Sequence, residues 1–121
     1  MATITEAEGF SELGMFQAAW DTLEEISPDL RATPEALRVR LACCPALNAW
    51  DLAVGIAHLL KEGREPDRQA AARFYHALAM RWLAEGDRYA AGQAIKAAVK
   101  AWPDHRLKLL EDPEFSNAGV F

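Results

Sequence analysis

Residues 72–103 carry the feature that most restricts the fold of this chain, two apolar stripes at helical spacing separated by a turn signal. The first segment, AARFYHALAMRWLAEG, places four apolar residues on one helix face: Tyr75, Leu78, Ala79 and Trp82. The second segment, DRYAAGQAIKAAVKAWP, has a matching stripe: Ala91, Ile95, Ala98 and Trp102. Gly86 and Asp87 lie between the segments, and Pro103 ends the second because proline cannot continue a helix. The pattern predicts a helical hairpin, and its two stripes predict that the hairpin stacks on neighbouring helices.

The spacing in this hairpin resembles the tetratricopeptide repeat, which has a period of about 34 residues. The matching positions are Tyr75, Leu78, Ala79, Trp82, Gly86, Ala91, Ile95, Ala98 and Pro103. Three of them depart from the usual residues: Tyr75 stands for Trp, Trp82 for Tyr and Ala79 for Gly. Each departure keeps the size class that the packing needs. The chain is similar to the small bacterial members of this family, and the resemblance implies an architecture without naming a partner.

We therefore expect an all-α fold. The resemblance implies an α-solenoid of about three antiparallel helix pairs, in a right-handed superhelix, with a short C-terminal capping helix. We expect residues 1–121 to form a single domain. Its predicted segments are a truncated first repeat at about 4–31, a second repeat at 33–66, a third at 72–105, and a capping helix and tail at 104–115.

Local signals predict where several helices begin. Thr5 and Glu8 have the spacing of a capping box, which predicts a short helix from about Glu6 to Leu13. Thr33 followed by Pro34 predicts the start of the second repeat.

Two segments of the second repeat fit the family less well. Pro45 falls where the family is still helical, so the first helix of this repeat either ends one turn early or kinks. Asn48 stands where Gly is common, and Asn also enters left-handed conformations. The polar link KEGREPDRQ, residues 61–69, is either a surface loop or an extra turn of helix.

The end of the chain predicts a capping element. Asp104 can cap a last short helix in which Leu107 and Leu110 cover the open face of the hairpin. We expect Phe115 to tuck back onto the stack and residues 116–121 to be loose.

The composition of the chain argues against several classes of function. The 121 residues carry a formal net charge of −5, which argues against nucleic-acid binding because phosphate contacts need a basic surface. No stretch has the length of a membrane span, and no export signal is visible, so a cytoplasmic location is expected. Cys43 and Cys44 are adjacent, which favours two small buried thiols over a disulfide.

The sequence offers no recognisable catalytic or metal site. His58, His76 and His105 lack a partner at the i+4 spacing of a helical metal pair, and no Cys/His cluster completes a zinc site. A nucleophile elbow and a Gly-rich phosphate loop are also missing. We predict that the chain is not an enzyme and binds neither a cofactor nor a metal.

Recognition by a surface remains the expected function. In stacked repeats the first helices line a concave groove. The residues predicted to face it lie opposite the buried stripes: Glu35, Arg38, Ala42, Arg73, His76 and Met80. Arg38 and Arg73, alone or together with His76, are predicted to form a small cationic spot. It either grips a carboxylate of a partner peptide or consists of solvated arginines paired with neighbours such as Glu35. Family members that hold a C-terminal carboxylate have Asn and a basic residue where this chain has Ala42 and Ala77.

The leading interpretation is a cytoplasmic adaptor that binds a peptide or helix of another protein in the concave groove. One alternative is a chaperone-like protein that holds an exported or assembling partner. Another is a structural module that forms homo-oligomers through the open ends of the stack. We expect Tyr75, Trp20, Trp82 and Trp102 to belong to the core in any of these cases.

Overall fold

The computed structural model describes residues 1–118, which form nine helices and no strand. The all-α prediction is therefore confirmed for this part of the chain. The helices divide between two compact units, Met1–Leu60 and Lys61–Phe121, called here the N-terminal and C-terminal units. Within residues 1–118, no helix combines the length and apolar character that crossing a membrane requires.

The N-terminal unit contains five helices: α1 (Ile4–Glu12), α2 (Phe16–Glu25), α3 (Pro28–Arg31), α4 (Pro34–Cys43) and α5 (Trp50–Leu60). Helices α1, α2 and α4 pack on one another around a core of small and branched residues: Ala7, Ala19, Leu23, Ile26, Ala36, Val39 and Cys43. Glu24 on α2 links this helix to α3 and to α4, since its carboxylate pairs with Arg31 at 3.1 Å and with Arg40 at 2.9 Å.

The N-terminal caps follow the sequence signals with one correction. Thr3, and not Thr5, caps α1, and its hydroxyl accepts from the backbone N–H of Glu6 at 3.0 Å. The helix therefore starts at Ile4, earlier than predicted. Thr33 caps α4 as predicted, with Pro34 in the first turn, where its missing N–H costs nothing.

The segment between α4 and α5 decides between the two alternatives left open for Pro45. Helix α4 ends at Cys43, so the helix stops before the proline and does not kink at it. Asn48 adopts φ 60°, the left-handed conformation expected from its side chain, and α5 begins two residues later. Cys43 and Cys44 are free and buried, as expected, and burial raises the pKa of the Cys44 thiol to about 11.

The C-terminal unit is built on the predicted hairpin. It consists of α6 (Glu65–Ala84), α7 (Arg88–Ala101), α8 (His105–Glu111) and α9 (Pro113–Ala118). Helix α6 begins inside the polar link, so most of residues 61–69 form the start of a longer helix. Gly86 makes the turn at φ 80°, and the Asp87 carboxylate caps α7 by accepting from the N–H of Ala90 at 2.9 Å.

Small residues line the contact between α6 and α7. Ala79, Ala91 and Ala98 are fully buried, with Tyr75 and Ile95 beside them. Alanine faces allow two helix backbones to approach closely, which explains how this hairpin packs with few large aliphatic side chains. Tyr75 therefore belongs to the core, as predicted.

The tryptophans lie at the edge of the core and not inside it. Trp20, Trp82 and Trp102 are half-buried, and an arginine covers each ring: Arg40 at 4.4 Å, Arg81 at 5.7 Å and Arg68 at 5.0 Å from the ring centroids. The apolar stripe placed each ring on the inner side of its helix. Because the indole ring is large, one of its faces stays at the surface, where the guanidinium of the arginine stacks on it.

The C-terminal helices cap the hairpin through other residues than predicted. Leu107 and Leu110 are exposed, whereas His105 and Leu109, one helical turn apart, are buried. Asp104 makes no side-chain cap hydrogen bond. Phe115 is fully buried, as expected. The backbone of residues 116–118 belongs to α9, and the rest of the tail predicted to be loose, residues 119–121, lies outside the described residues.

Candidate functional site

The six predicted groove residues lie on two helices that belong to different units. Glu35, Arg38 and Ala42 are on α4 of the N-terminal unit, where Glu35 and Ala42 are exposed and Arg38 is half-buried. The other three are on α6 of the C-terminal unit. A groove that joins the two faces stays a prediction.

On α6, the three predicted residues have different surroundings. Arg73 is exposed, and Met80 is 42% exposed. The His76 side chain is only 17% exposed, and both of its ring nitrogens make hydrogen bonds within the C-terminal unit. His76 therefore contributes to packing inside its unit.

His76 is the centre of a chain of polar groups that the sequence did not reveal. Its Nε2 lies 2.9 Å from Asp112 Oδ2, and its Nδ1 lies 2.9 Å from His105 Nε2. The other oxygen of Asp112 accepts from the backbone N–H of Glu114 at 3.0 Å, at the start of α9. An ionised carboxylate only accepts, so His76 Nε2 donates to Asp112. With both imidazoles neutral, His76 Nδ1 then accepts from His105 Nε2–H.

The electrostatics of this chain of groups favour a neutral His105. The pKa of His105 is lowered to about 4, mainly by burial, and electrostatic interactions with His76, Lys108 and Arg73 act in the same direction. The hydrogen bond from His76 lowers the pKa of Asp112 below its ordinary value. At neutral pH the carboxylate is thus ionised and His105 is uncharged.

The same groups hold three helices together. His76 is on α6, His105 begins α8, and Asp112 links α8 to α9. The ring of Phe115 on α9 packs edge-on against His76 at 5.0 Å between centroids. Because His105 is only 5% exposed, an outside molecule does not reach it, and we interpret the network as structural.

The surface with the most distinctive chemistry lies on α7. It is a concavity of about 670 Å³, here called the α7 surface, lined by Arg88, Tyr89, Gly92, Gln93, Ile95, Lys96, Val99, Lys100 and Arg106. Four of these side chains are cationic, and within the described chain no carboxylate lines it. Tyr89 is 78% exposed and supplies apolar area together with Val99.

The α7 surface arises from a spacing that is visible in the sequence. Arg88, Gly92, Lys96 and Lys100 follow one another at intervals of four, so they form one stripe along α7. A side chain added at Gly92 would meet nothing within 4 Å, so the helix is open at this point. Arg106 joins the stripe from α8, and only the fold brings it there.

Charge is unevenly divided along the chain. Residues 1–60 contain nine acidic and three basic residues, whereas residues 61–121 contain nine acidic and ten basic residues. The net charge of −5 therefore hides a C-terminal unit that is close to neutral and carries a cationic face.

Comparisons with known proteins give no relative from which a role could be taken. No protein-family model matches the chain, and neither the curated proteins nor the solved structures show a significant match to it.

Proposed function

We propose that this chain is a helical-repeat module of the tetratricopeptide type that binds an acidic, amphipathic helical segment of a partner protein on the α7 surface. The observation that carries the proposal is the composition of this surface, where four cations and, among the residues that the structure describes, no carboxylate surround apolar side chains in an acidic protein. Such a surface complements a helix that has leucine-like residues on one face and carboxylates beside them.

The dimensions of the α7 surface agree with a helical occupant. The stripe from Arg88 to Lys100 covers thirteen residues of helix, whose twelve steps correspond to about 18 Å at the helical rise. A partner helix of three to four turns has about this length. Gly92 leaves room in the middle of the stripe for an apolar side chain of the partner.

The test uses a labelled peptide of about 15 residues with a leucine stripe flanked by glutamates, here called the acidic peptide. Fluorescence anisotropy is expected to show that it binds and that added salt weakens binding, because the charges at the rim are exposed to solvent. A matched peptide with lysine in place of every glutamate should not bind. Equal binding of both peptides, or of neither, would contradict the proposal.

Two variants locate the binding site. The double substitution Lys96→Glu and Arg106→Glu is expected to lower the affinity for the acidic peptide about tenfold, because it removes two exposed charge contacts. Gly92→Leu should also weaken binding because it fills the opening, and the space around Gly92 lets the helix accept a side chain.

A second copy of this chain, bound through its acidic residues, is the alternative occupant of the α7 surface. In that case light scattering would show a dimeric wild-type chain and a monomeric double variant. The acidic peptide would then have to compete with the second copy for the α7 surface. Monomeric wild-type protein that binds the acidic peptide supports the adaptor function.

A further inference from the structure

A second cavity in the C-terminal unit adjoins the α7 surface, with which it shares Lys100. It has a volume of about 370 Å³ and is lined by residues of the segment before α6, of α6 and of α7. Its cationic members are Lys61, Arg68 and Lys100, and its only carboxylate in the described chain is that of Glu62. The lining therefore has two more positive than negative charges.

Arg68 lines the cavity, and its Nε lacks a hydrogen-bond acceptor among the described residues. Its guanidinium stacks on the ring of Trp102 at 5.0 Å from the centroid, which fixes its position. Its Nε is buried, and no atom of residues 1–118 accepts a hydrogen bond from it. Burying an N–H donor without an acceptor costs free energy.

The segment that carries Lys61 is fixed to α6. The Asp67 carboxylate, in a side chain that is 4% exposed, accepts from the backbone N–H of Arg64 at 3.1 Å. Gly63 passes so close to Asp67 that an added Cβ would lie 2.5 Å from its Oδ2. A Cβ at position 63 would therefore displace Asp67 and disturb its hydrogen bond to the backbone of Arg64.

The remaining wall is compact and mostly apolar. Ala97 and Ala101 of α7 leave the space open, and the Tyr75 ring closes one side. Burial raises the pKa of Tyr75, so its phenol stays protonated at neutral pH and can donate a hydrogen bond. Volumes of this size are at the small end of the range for ligand sites.

We propose that this cavity binds a small organic anion, with a carboxylate or phosphate held by Arg68 and Lys61 and a compact apolar body against Tyr75 and the two alanines. Arginine suits the role because its planar group donates paired hydrogen bonds to such anions. The proposal does not depend on the partner-binding function of the α7 surface, with which the cavity shares only Lys100.

Isothermal titration calorimetry with phenyl phosphate and benzoate tests the proposal, with uncharged benzyl alcohol as the matched control. We expect saturable binding of at least one anion and none of the alcohol. Arg68→Met, which keeps the apolar stem and removes the charge, is expected to weaken binding at least tenfold. Lys61→Met, outside any helix, should weaken it several-fold and remains informative if Arg68→Met fails to fold.

Arg106→Met is the matched control because this cation lines the α7 surface but not the cavity. It should leave anion binding unchanged, and Arg68→Met should leave binding of the acidic peptide unchanged, so either proposal can fail alone. Absence of saturable binding by both anions would overturn the inference, as would wild-type affinity in both Arg68→Met and Lys61→Met.

Discussion

Replacing Phe115 by alanine is expected to destabilise the chain by about 3–5 kcal/mol. Phe115 is the largest fully buried side chain among the described residues, and its ring packs against His76 and holds α9 on α6. Removing it leaves a cavity and also exposes the polar chain of His76, His105 and Asp112 to water. Since small domains have a total stability of about 5–15 kcal/mol, this loss is a large fraction. Urea unfolding followed by far-UV circular dichroism measures it.

Tyr89→Ala is the matched control for Phe115→Ala. Tyr89 is an aromatic residue of the same unit, but it is 78% exposed. Its removal should change the free energy of unfolding by less than about 0.5 kcal/mol, as is usual for surface positions. If the two variants were equally stable, the packing of Phe115 described above would be wrong.

Acidification from pH 7 to pH 5 is expected to remove about 2 kcal/mol of stability through His105 alone. The pKa of His105 is lowered to about 4 in the folded state, against an ordinary value near 6.5. The unfolded chain therefore binds a proton more readily. This contribution is fully present above the unfolded pKa and is lost as the pH falls toward the folded pKa. Asp112, whose pKa is lowered, stays ionised over this range.

His105→Gln isolates this contribution because glutamine can still donate to His76 but does not titrate between pH 7 and pH 5. Comparison of urea unfolding curves at the two pH values should show a smaller loss of stability in the variant than in the wild type, by about 2 kcal/mol. An identical loss in both proteins would mean that His105 is not held neutral by burial.

The helical hairpin could be predicted from the sequence because its signals are local. The stripes of α6 and α7, the turn at Gly86 and the cap at Asp87 depend on residues within one or two helical turns of one another. The same holds for Thr33 and for Asn48. The cap of α1 was misplaced by two residues because Thr3 and Thr5 are both followed by a glutamate three positions later.

The polar network could not be predicted because it is tertiary. His76 lies 29 residues from His105 and 36 from Asp112, and periodicity says nothing about which polar side chains meet at such separations. The buried residues of α8 could not be predicted for the same reason. Its three leucines, Leu107, Leu109 and Leu110, have the same side chain, so the sequence does not show which of them is buried. Leu109 is buried because of the way the helix packs on its neighbours.

The α7 surface could be predicted from the sequence only in part. Its stripe at intervals of four is visible in the sequence, but the resemblance to the tetratricopeptide family predicts a groove on the first helix of each pair and not on α7. The contribution of Arg106 to the lining depends on how α8 folds back.

The most direct test of the central proposal is an NMR titration of the ¹⁵N-labelled chain with the acidic peptide. If the α7 surface is the binding site, the largest amide shift changes will fall on Gly92, Lys96, Lys100 and Arg106. Changes centred on Arg38 and Arg73 would instead place the partner on the first helices, and changes spread evenly over the chain would contradict a defined binding surface.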